Sequence, residues 1–235
     1  MNKTIASAVE AVEAVQDGAV IMMGGFGVCG IPENLTEALR RKGSKGLTII
    51  SNNAGLDDFG IGTLLKNGQI RKMILSYGGE CKIFEDMTLT QQLEVEWAPQ
   101  GTLAERIRAG GAGIGGFFTP TGYGTLVADG KETRQINGRW MVFETPLKAD
   151  FSFVKAWKGD SLGNLVYRKT ARNINQVMAT AANCVIAEVE HLVEVGALHP
   201  DGIHTPGIYV DHVLRGPQYV KRIERLTVRK AATHV

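Results

Sequence analysis

The chain has 235 residues, enough to bury a substantial core, and its 44% apolar and 21% charged residues match an ordinary water-soluble globular protein. Lys and Arg number 26 against 24 Asp and Glu, and a net charge of +2 gives no field that would favour nucleic acid or an anionic membrane. Apolar runs such as 19–23 are far too short for a bilayer span, and three cysteines without a CxxC pair argue against a disulfide scaffold or zinc ribbon.

Residues 1–16 lack the apolar core of a signal peptide and carry Glu10 and Glu13, so a cytoplasmic location is expected. Within them Ile5, Ala8, Val9, Val12 and Val15 predict a helix over 4–16. Residues 19–23 read as a buried strand running into Gly24-Gly25-Phe26-Gly27. Pro32 then suits the first turn of a helix with an apolar stripe at Leu35, Ala38 and Leu39, closed by Gly43. A second strand, 47–51, leads into Asn52-Asn53-Ala54-Gly55 and a short helix through Ile61, Leu64 and Leu65 that stops at Asn67-Gly68. The third strand, 70–76, ends in Tyr77-Gly78-Gly79-Glu80, and the fourth, 94–98, in Pro99-Gln100-Gly101. Thr102-Leu103-Ala104-Glu105 matches a capping box, which would start a helix at Thr102 that stops at Gly110-Gly111. Four strands alternating with helices imply a parallel sheet with right-handed crossovers.

Downstream the pattern changes. Asn137-Gly138 between 134–136 and 140–144 is a strong hairpin signal, and 151–156 with 165–167 flank a glycine-bearing turn. A helix over 174–182, a buried strand over 184–189 and an extended segment over 207–213 complete the chain. No linker or repeat is visible. The expectation is one α/β domain over 1–235, an open, mainly parallel sheet flanked by helices with an antiparallel β elaboration.

Glycine makes up about 12% of the chain against a usual ~7%, and it clusters where the strands end. In an open parallel sheet, ligands bind beyond the carboxyl ends of the strands. Gly24–Gly30, Ser51–Asn53, Gly78–Glu80 and Pro99–Gly101 would meet there. They offer bare amides, the carboxamides of Asn52, Asn53 and Gln100, and the Glu80 carboxylate. Gly25–Gly30 matches GxGxxG, but Ser51-Asn52-Asn53 stands where a ribose-binding acid belongs and no phosphate-loop GKS/T follows, which disfavours nicotinamide binding. The first histidine is His191, so these segments hold no Ser-His or Cys-His pair, and the five histidines lack metal-ligand spacing, so no metal is expected. Cys29 could be activated at a helix N-terminus, although a small residue packed under the loop is the simpler reading. Glu80 reads more simply as a supporting or surface carboxylate than as a base or nucleophile. The cluster Lys221-Arg222, Arg225, Arg229-Lys230 suits a solvated or subunit-contacting segment. The crevice could bind and polarise an acyl group, yet it has no obvious attacking group of its own. It reads as half of an active site.

Residues 23–34, Met23-Gly24-Gly25-Phe26-Gly27-Val28-Cys29-Gly30-Ile31-Pro32-Glu33-Asn34, resemble the signature of the family I coenzyme A transferases. Further blocks continue the likeness: Ser51-Asn52-Asn53-Ala54-Gly55, the run from Pro99-Gln100-Gly101 to Gly113, Thr121-Gly122-Tyr123-Gly124-Thr125, Val154-Lys155-Ala156-Trp157, and Arg168-Lys169-Thr170-Ala171-Arg172-Asn173. The resemblance covers nearly the whole chain and points to the A (alpha) subunits of the family. It implies a nucleophilic glutamate in a Ser-Glu-Asn-Gly motif of a B (beta) subunit, or of the second half of fused enzymes. This sequence has no Ser-Glu-Asn-Gly and ends soon after Lys230, in keeping with an obligate B partner in a hetero-oligomer, a heterodimer or heterotetramer.

The implied reaction moves CoA from succinyl-CoA to a 3-oxoacid such as acetoacetate. It is ping-pong chemistry through a glutamyl-CoA thioester on the partner, with coenzyme A as substrate and no permanently bound cofactor. The same resemblance gives Gln100 an oxyanion-stabilising role. It makes Asn52 and Asn53 substrate-binding and places Gly24, Gly25, Phe26, Gly27, Val28, Cys29 and Gly30 against CoA. Plainer roles stand beside these: Gln100 bonding its turn, the asparagines bracing theirs, and the glycines packing at an interface. Rival readings are transfer between acetate or butyrate and acetoacetate, and a non-catalytic binding protein of the same fold.

Overall fold

The computed structural model describes residues 2–223; Arg225, Arg229 and Lys230 of the basic cluster, and His234, lie outside the described residues. The chain runs through α1 (Ala8–Val12), β1 (Val20–Met23), α2 (Glu33–Lys42), β2 (Leu47–Ile50), α3 (Ile61–Lys66), β3 (Ile70–Leu75), α4 (Lys82–Leu89), β4 (Glu94–Trp97) and α5 (Gln100–Ala112). Strands β1 and β2 are almost wholly apolar because both of their faces are covered. Their pleat sends alternate side chains to two cores. Ile21, Met23, Leu47, Ile49, Met73 and Leu75 meet Leu35, Leu39, Leu64 and Phe84 of α2–α4, whereas Met22, Ile50 and Ile74 meet Leu103 and Ile107 of α5.

Strands β5 (Phe117–Thr119), β6 (Thr133–Ile136) and β7 (Arg139–Glu144) form a separate antiparallel sheet in the order β5-β7-β6. Its β6–β7 hairpin turns at Asn137 and Gly138, both at positive φ (+50° and +76°), as a tight primed turn requires. The chain then returns through β8 (Ala149–Asp160), β9 (Leu165–Val166), α6 (Asn175–Met178), β10 (Ala182–Val193) and β11 (His212–Arg215). Strands β8, β10 and β11 join the parallel sheet, whose order is β11-β10-β8-β1-β2-β3-β4, with β9 paired antiparallel to β8. The antiparallel elaboration is thus the small sheet and the β8–β9 hairpin, and the parallel sheet is larger than its first four strands. Helices α1–α4 cover one face, and α5 and α6 cover the other.

Five local expectations are corrected. Helix α6 covers 175–178 rather than 174–182, because β10 already starts at Ala182, and residues 207–209 of the expected extended segment 207–213 form a 3-10 turn before β11. Helix α1 covers 8–12 rather than 4–16, because Ser7 caps it and residues 3–5 run extended beside Val213, with the Ile5 amide donating to the Val213 carbonyl at 3.0 Å. The capping box does not form. Helix α5 starts at Gln100 behind Pro99, Thr102 is already inside it and buried, and Glu105 pairs with Arg108 at 2.7 Å. Nor does α5 stop at Gly110-Gly111; it runs on to Gly113, at φ +71°. A Cβ on Gly110 would fall 1.9 Å from the Leu147 carbonyl oxygen and one on Gly111 2.2 Å from Thr180 Oγ1, so that pair serves close packing. Helix α4 has no counterpart in the expected pattern.

The strand order reverses at β1, which has β2 on one side and β8 on the other. This is the topological switch point where open α/β sheets take ligands. The Gly24 amide donates to the Phe153 carbonyl at 2.9 Å, while β8 and β10 run on past this level to Asp160 and Val193. They form a wall beside the glycine-rich loop.

Candidate active site

In the loop after β1, Phe26 and Cys29 exchange backbone hydrogen bonds at 2.9 and 3.0 Å, with Gly27 at φ +57° between them. The Phe26 ring is half-exposed at the tip, and Val28 turns inward against Ile31 and Phe59. Two asparagines hold the loop from behind. Asn173 Nδ2 donates to the Cys29 carbonyl and Asn175 Nδ2 to the Gly30 carbonyl, each at 3.0 Å, and Asn175 Oδ1 accepts from the Lys155 amide at 2.9 Å. A Cβ on Gly24 would lie 1.8 Å from Asn175 Oδ1, and one on Gly30 2.6 Å from Asn173 Nδ2. These two glycines therefore make room for the clamp. Asn175 escapes the sequence reading, since its partners lie 20 and 145 positions away.

Cys29 is exposed, with its sulfur 3.6 Å from Thr170 Oγ1, so it is not packed under the loop. Burial pushes the Cys81 thiol up to about 11 and also raises that of Cys184. An aromatic disulfide reagent should therefore modify Cys29 of the native chain well before the other two. Equal rates for all three thiols, followed by peptide mapping, would contradict this placement.

Asn52 and Asn53 are both buried at the end of β2. Asn52 Oδ1 accepts from Ser76 Oγ at 3.0 Å, and Asn53 Nδ2 donates to the Gly27 carbonyl at 3.3 Å, tying this turn to the glycine loop. Glu80 is exposed in the turn before α4. Gln100, the first residue of α5, is exposed, and among the described residues its carboxamide has no hydrogen-bond partner. With strands ~4.8 Å apart, the ends of β1 and β4 are separated by roughly 14 Å. The structure thus brings Asn53 and the glycine loop into contact and leaves Gln100 apart from them, three strands along the carboxyl edge of the sheet.

The helix termini along this edge differ in a telling way. Helix α2 is plugged by Glu188, a fully buried carboxylate on β10. Its Oε1 accepts from Asn34 Nδ2 at 2.7 Å and the Asn34 amide at 3.2 Å, and its Oε2 from the Leu35 amide at 2.8 Å. Burial pushes the Glu188 carboxyl up, and these donors oppose the rise. These bonds also occupy the amides that could have acted on Cys29. Helix α5 has no side-chain cap, and open space surrounds Gly101 in its first turn. Its free first-turn amides therefore accompany the Gln100 carboxamide at the positive end of the helix dipole.

An ion-pair chain braces α5: Arg106 reaches Glu96 and the Thr145 carbonyl at 2.8 Å each and Glu144 at 3.7 Å, and Lys131 closes on Glu144 at 2.8 Å. Among the described residues, no three His, Cys, Asp or Glu side chains converge as metal ligands would, and no helix is long and apolar enough to cross a membrane.

Comparison with known proteins points the same way. Residues 5–216 match the family described as coenzyme A transferase. The chain is 56% identical over 232 residues to the A subunit of a probable succinyl-CoA:3-ketoacid coenzyme A transferase of Bacillus subtilis, covering 99% of this chain and 98% of that one. It is 50% identical over 246 residues to the human mitochondrial succinyl-CoA:3-ketoacid coenzyme A transferase 2, covering 97% of this chain but only 48% of that protein. An acyl-CoA transferase from Escherichia coli O157:H7 superposes with a TM-score of 0.84 at 24% identity, over 94% of this chain and 48% of that one; this likeness speaks for the fold.

Proposed function

The chain belongs to the coenzyme A transferase family, and on that premise we propose that it is the A component of an enzyme moving CoA from succinyl-CoA to a 3-oxoacid such as acetoacetate. A separate B subunit supplies the reactive carboxylate. The observation that carries this reading is the open end of α5, where the exposed Gln100 carboxamide and the uncapped first-turn amides stand beyond the carboxyl end of β4. The similarity to proteins named as the A subunits of such transferases, and to one half of a longer mitochondrial protein, supports a two-part enzyme.

In this account the partner's glutamate attacks the acyl carbonyl of succinyl-CoA, and the carbonyl electrons move onto oxygen. Collapse of that oxyanion expels the CoA thiolate and leaves an acyl-glutamyl anhydride. The thiolate then attacks the glutamyl carbonyl, releasing succinate and forming the glutamyl-CoA thioester. Acetoacetate runs the same steps in reverse. Gln100 Nε2, helped by the α5 amides, donates to the oxyanion, whose charge exists only in the transition state and the intermediate. Asn52 and Asn53 fix the crevice floor on which the acyl chain rests, and the loop from Gly24 to Gly30 lies along CoA. The three free thiols suit a reducing compartment such as the cytoplasm.

The test is reconstitution. The chain alone, and the chain co-purified with a B subunit bearing Ser-Glu-Asn-Gly, are assayed for succinyl-CoA-dependent consumption of acetoacetate. Activity is expected only in the complex, and robust turnover by the chain alone would overturn the proposal.

A further inference from the structure

Only Ala98 and Pro99 separate the end of β4 from Gln100 at the start of α5. Behind this turn a single side chain clips the strand to the helix. Arg106 of α5 is buried, and its guanidinium donates to Glu96 Oε1 on β4 and to the Thr145 carbonyl, at 2.8 Å each. Ten positions separate Glu96 from Arg106, and Gln100 lies between them. The clip is tied in turn to the small antiparallel sheet. Glu144, the last residue of β7, is buried, lies 3.7 Å from Arg106 Nε and accepts from Lys131 Nζ at 2.8 Å. The main chain follows the same route, since the Leu147 amide donates to the Arg106 carbonyl at 2.9 Å.

Packing alone does not call for this chemistry. Burying Arg106 and Glu144 takes both charges out of water, and apolar residues of like volume commonly hold such a site at least as firmly. What the ion pairs add is direction. The planar guanidinium fork accepts only a narrow set of positions for Glu96 and Thr145. It therefore fixes how far α5 advances along β4 and how it is turned, the two quantities that place its first residue. Burial pushes the Glu96 carboxyl up, but Arg106 and Lys72 outweigh it and hold the carboxyl below its ordinary range, so this arm stays charged at neutral pH. Gln100 has no hydrogen-bond partner of its own among the described residues, so its place follows from the backbone beneath it. Six helical residues span roughly 9 Å, and the guanidinium is engaged by Glu96 and Thr145, so Arg106 acts only through Gln100.

We propose that Arg106 is a positioning residue for the transfer reaction: by clipping α5 to β4 and to residues 144–145 beside the small sheet, it sets where the Gln100 carboxamide meets the oxyanion. This rests on the transferase reading above and on the role given there to Gln100. The next arginine of the helix supplies a contrast. Arg108 is half-exposed and pairs only with Glu105 on its own helix, at 2.7 Å, so it ties α5 to nothing else.

A double-mutant cycle in the reconstituted complex tests this. Arg106→Met should lower kcat about tenfold and change KM for succinyl-CoA less than about twofold. In a Gln100→Ala background the same substitution should lower kcat by less than about twofold, because the donor it places is already gone. A merely structural role would cost the same factor in both backgrounds, and equal factors would overturn the proposal. Arg106→Lys, which keeps the charge but not the fork, should recover only part of the rate. Should Arg106→Met fail to fold, Glu96→Ala cuts the clip from its part-exposed side, and the same non-additivity with Gln100→Ala is expected. Arg108→Ala should leave kcat unchanged, and a loss equal to that of Arg106→Met would overturn the proposal. Hydrogen exchange on the full chain needs no turnover. Peptides covering 97–105 should exchange faster in Arg106→Met, and unaltered protection there would overturn the clip. Faster exchange in a chain whose complex has no transferase activity would retract the reaction while keeping Arg106 as the clip behind Gln100.

Discussion

Gln100→Ala is expected to lower kcat of the reconstituted complex on the order of 10²-fold, the usual cost of one oxyanion donor. Substrate affinity should change far less, because the charge that Gln100 meets is absent from bound succinyl-CoA. The side chain is exposed and has no hydrogen-bond partner among the described residues, so its removal should leave the urea midpoint of the chain unaltered. This separation of rate from stability is the useful feature of the experiment. Unchanged turnover in a folded complex would remove Gln100 from the mechanism and leave the α5 amides as its remaining contribution.

The largest expected loss of stability comes from the residues behind the glycine loop. Asn175 is fully buried and bonds the Lys155 amide, the Gly30 and Ala171 carbonyls and Asn173 Oδ1. Asn175→Ala strands several of these groups out of reach of water, at about 3 kcal/mol or more. Gly24→Ala should also be severe, since its Cβ would fall on Asn175 Oδ1. The two changes should not add. Once Asn175 is truncated, the three atoms nearest to the new methyl group are gone, so the double variant should unfold at nearly the same urea concentration as Asn175→Ala alone. Strict additivity of the two losses would show that Gly24 is required for some other reason.

These cases show where the sequence is legible. Strands β1–β3 and helices α2 and α3 are readable because each is a short apolar run or stripe bounded by Gly, Pro or Asn-Gly. The Asn137-Gly138 hairpin is readable because only a few residue pairs accept two successive positive φ values. The place of Gln100 at a strand's carboxyl end is equally plain, yet the Thr102–Glu105 signature misplaces the start of its helix. A capping box is a local pattern, and Pro99 together with burial of Thr102 moves the boundary upstream of the site that the pattern suggests.

What escapes the sequence is mostly polar and long-range. Glu188 caps α2 from 153 residues away, and Asn175 holds Gly30 from 145 residues away. No periodicity or spacing rule records such a pairing. The segments of β8 and β10 read as strands, but their membership of the parallel sheet is hidden. Their extension past β1 carries Lys155, Lys158, Asp160 and Glu190 where a continuous apolar run would have announced a central strand.

The division of labour between the two polypeptides is tested most directly by locating the covalent intermediate. The reconstituted complex is incubated with succinyl-CoA without acceptor, and intact masses of both chains are measured. The account predicts an unmodified mass for this chain, with the CoA adduct carried by its B partner. A CoA thioester mapped to any residue between 1 and 235 of this chain would contradict it.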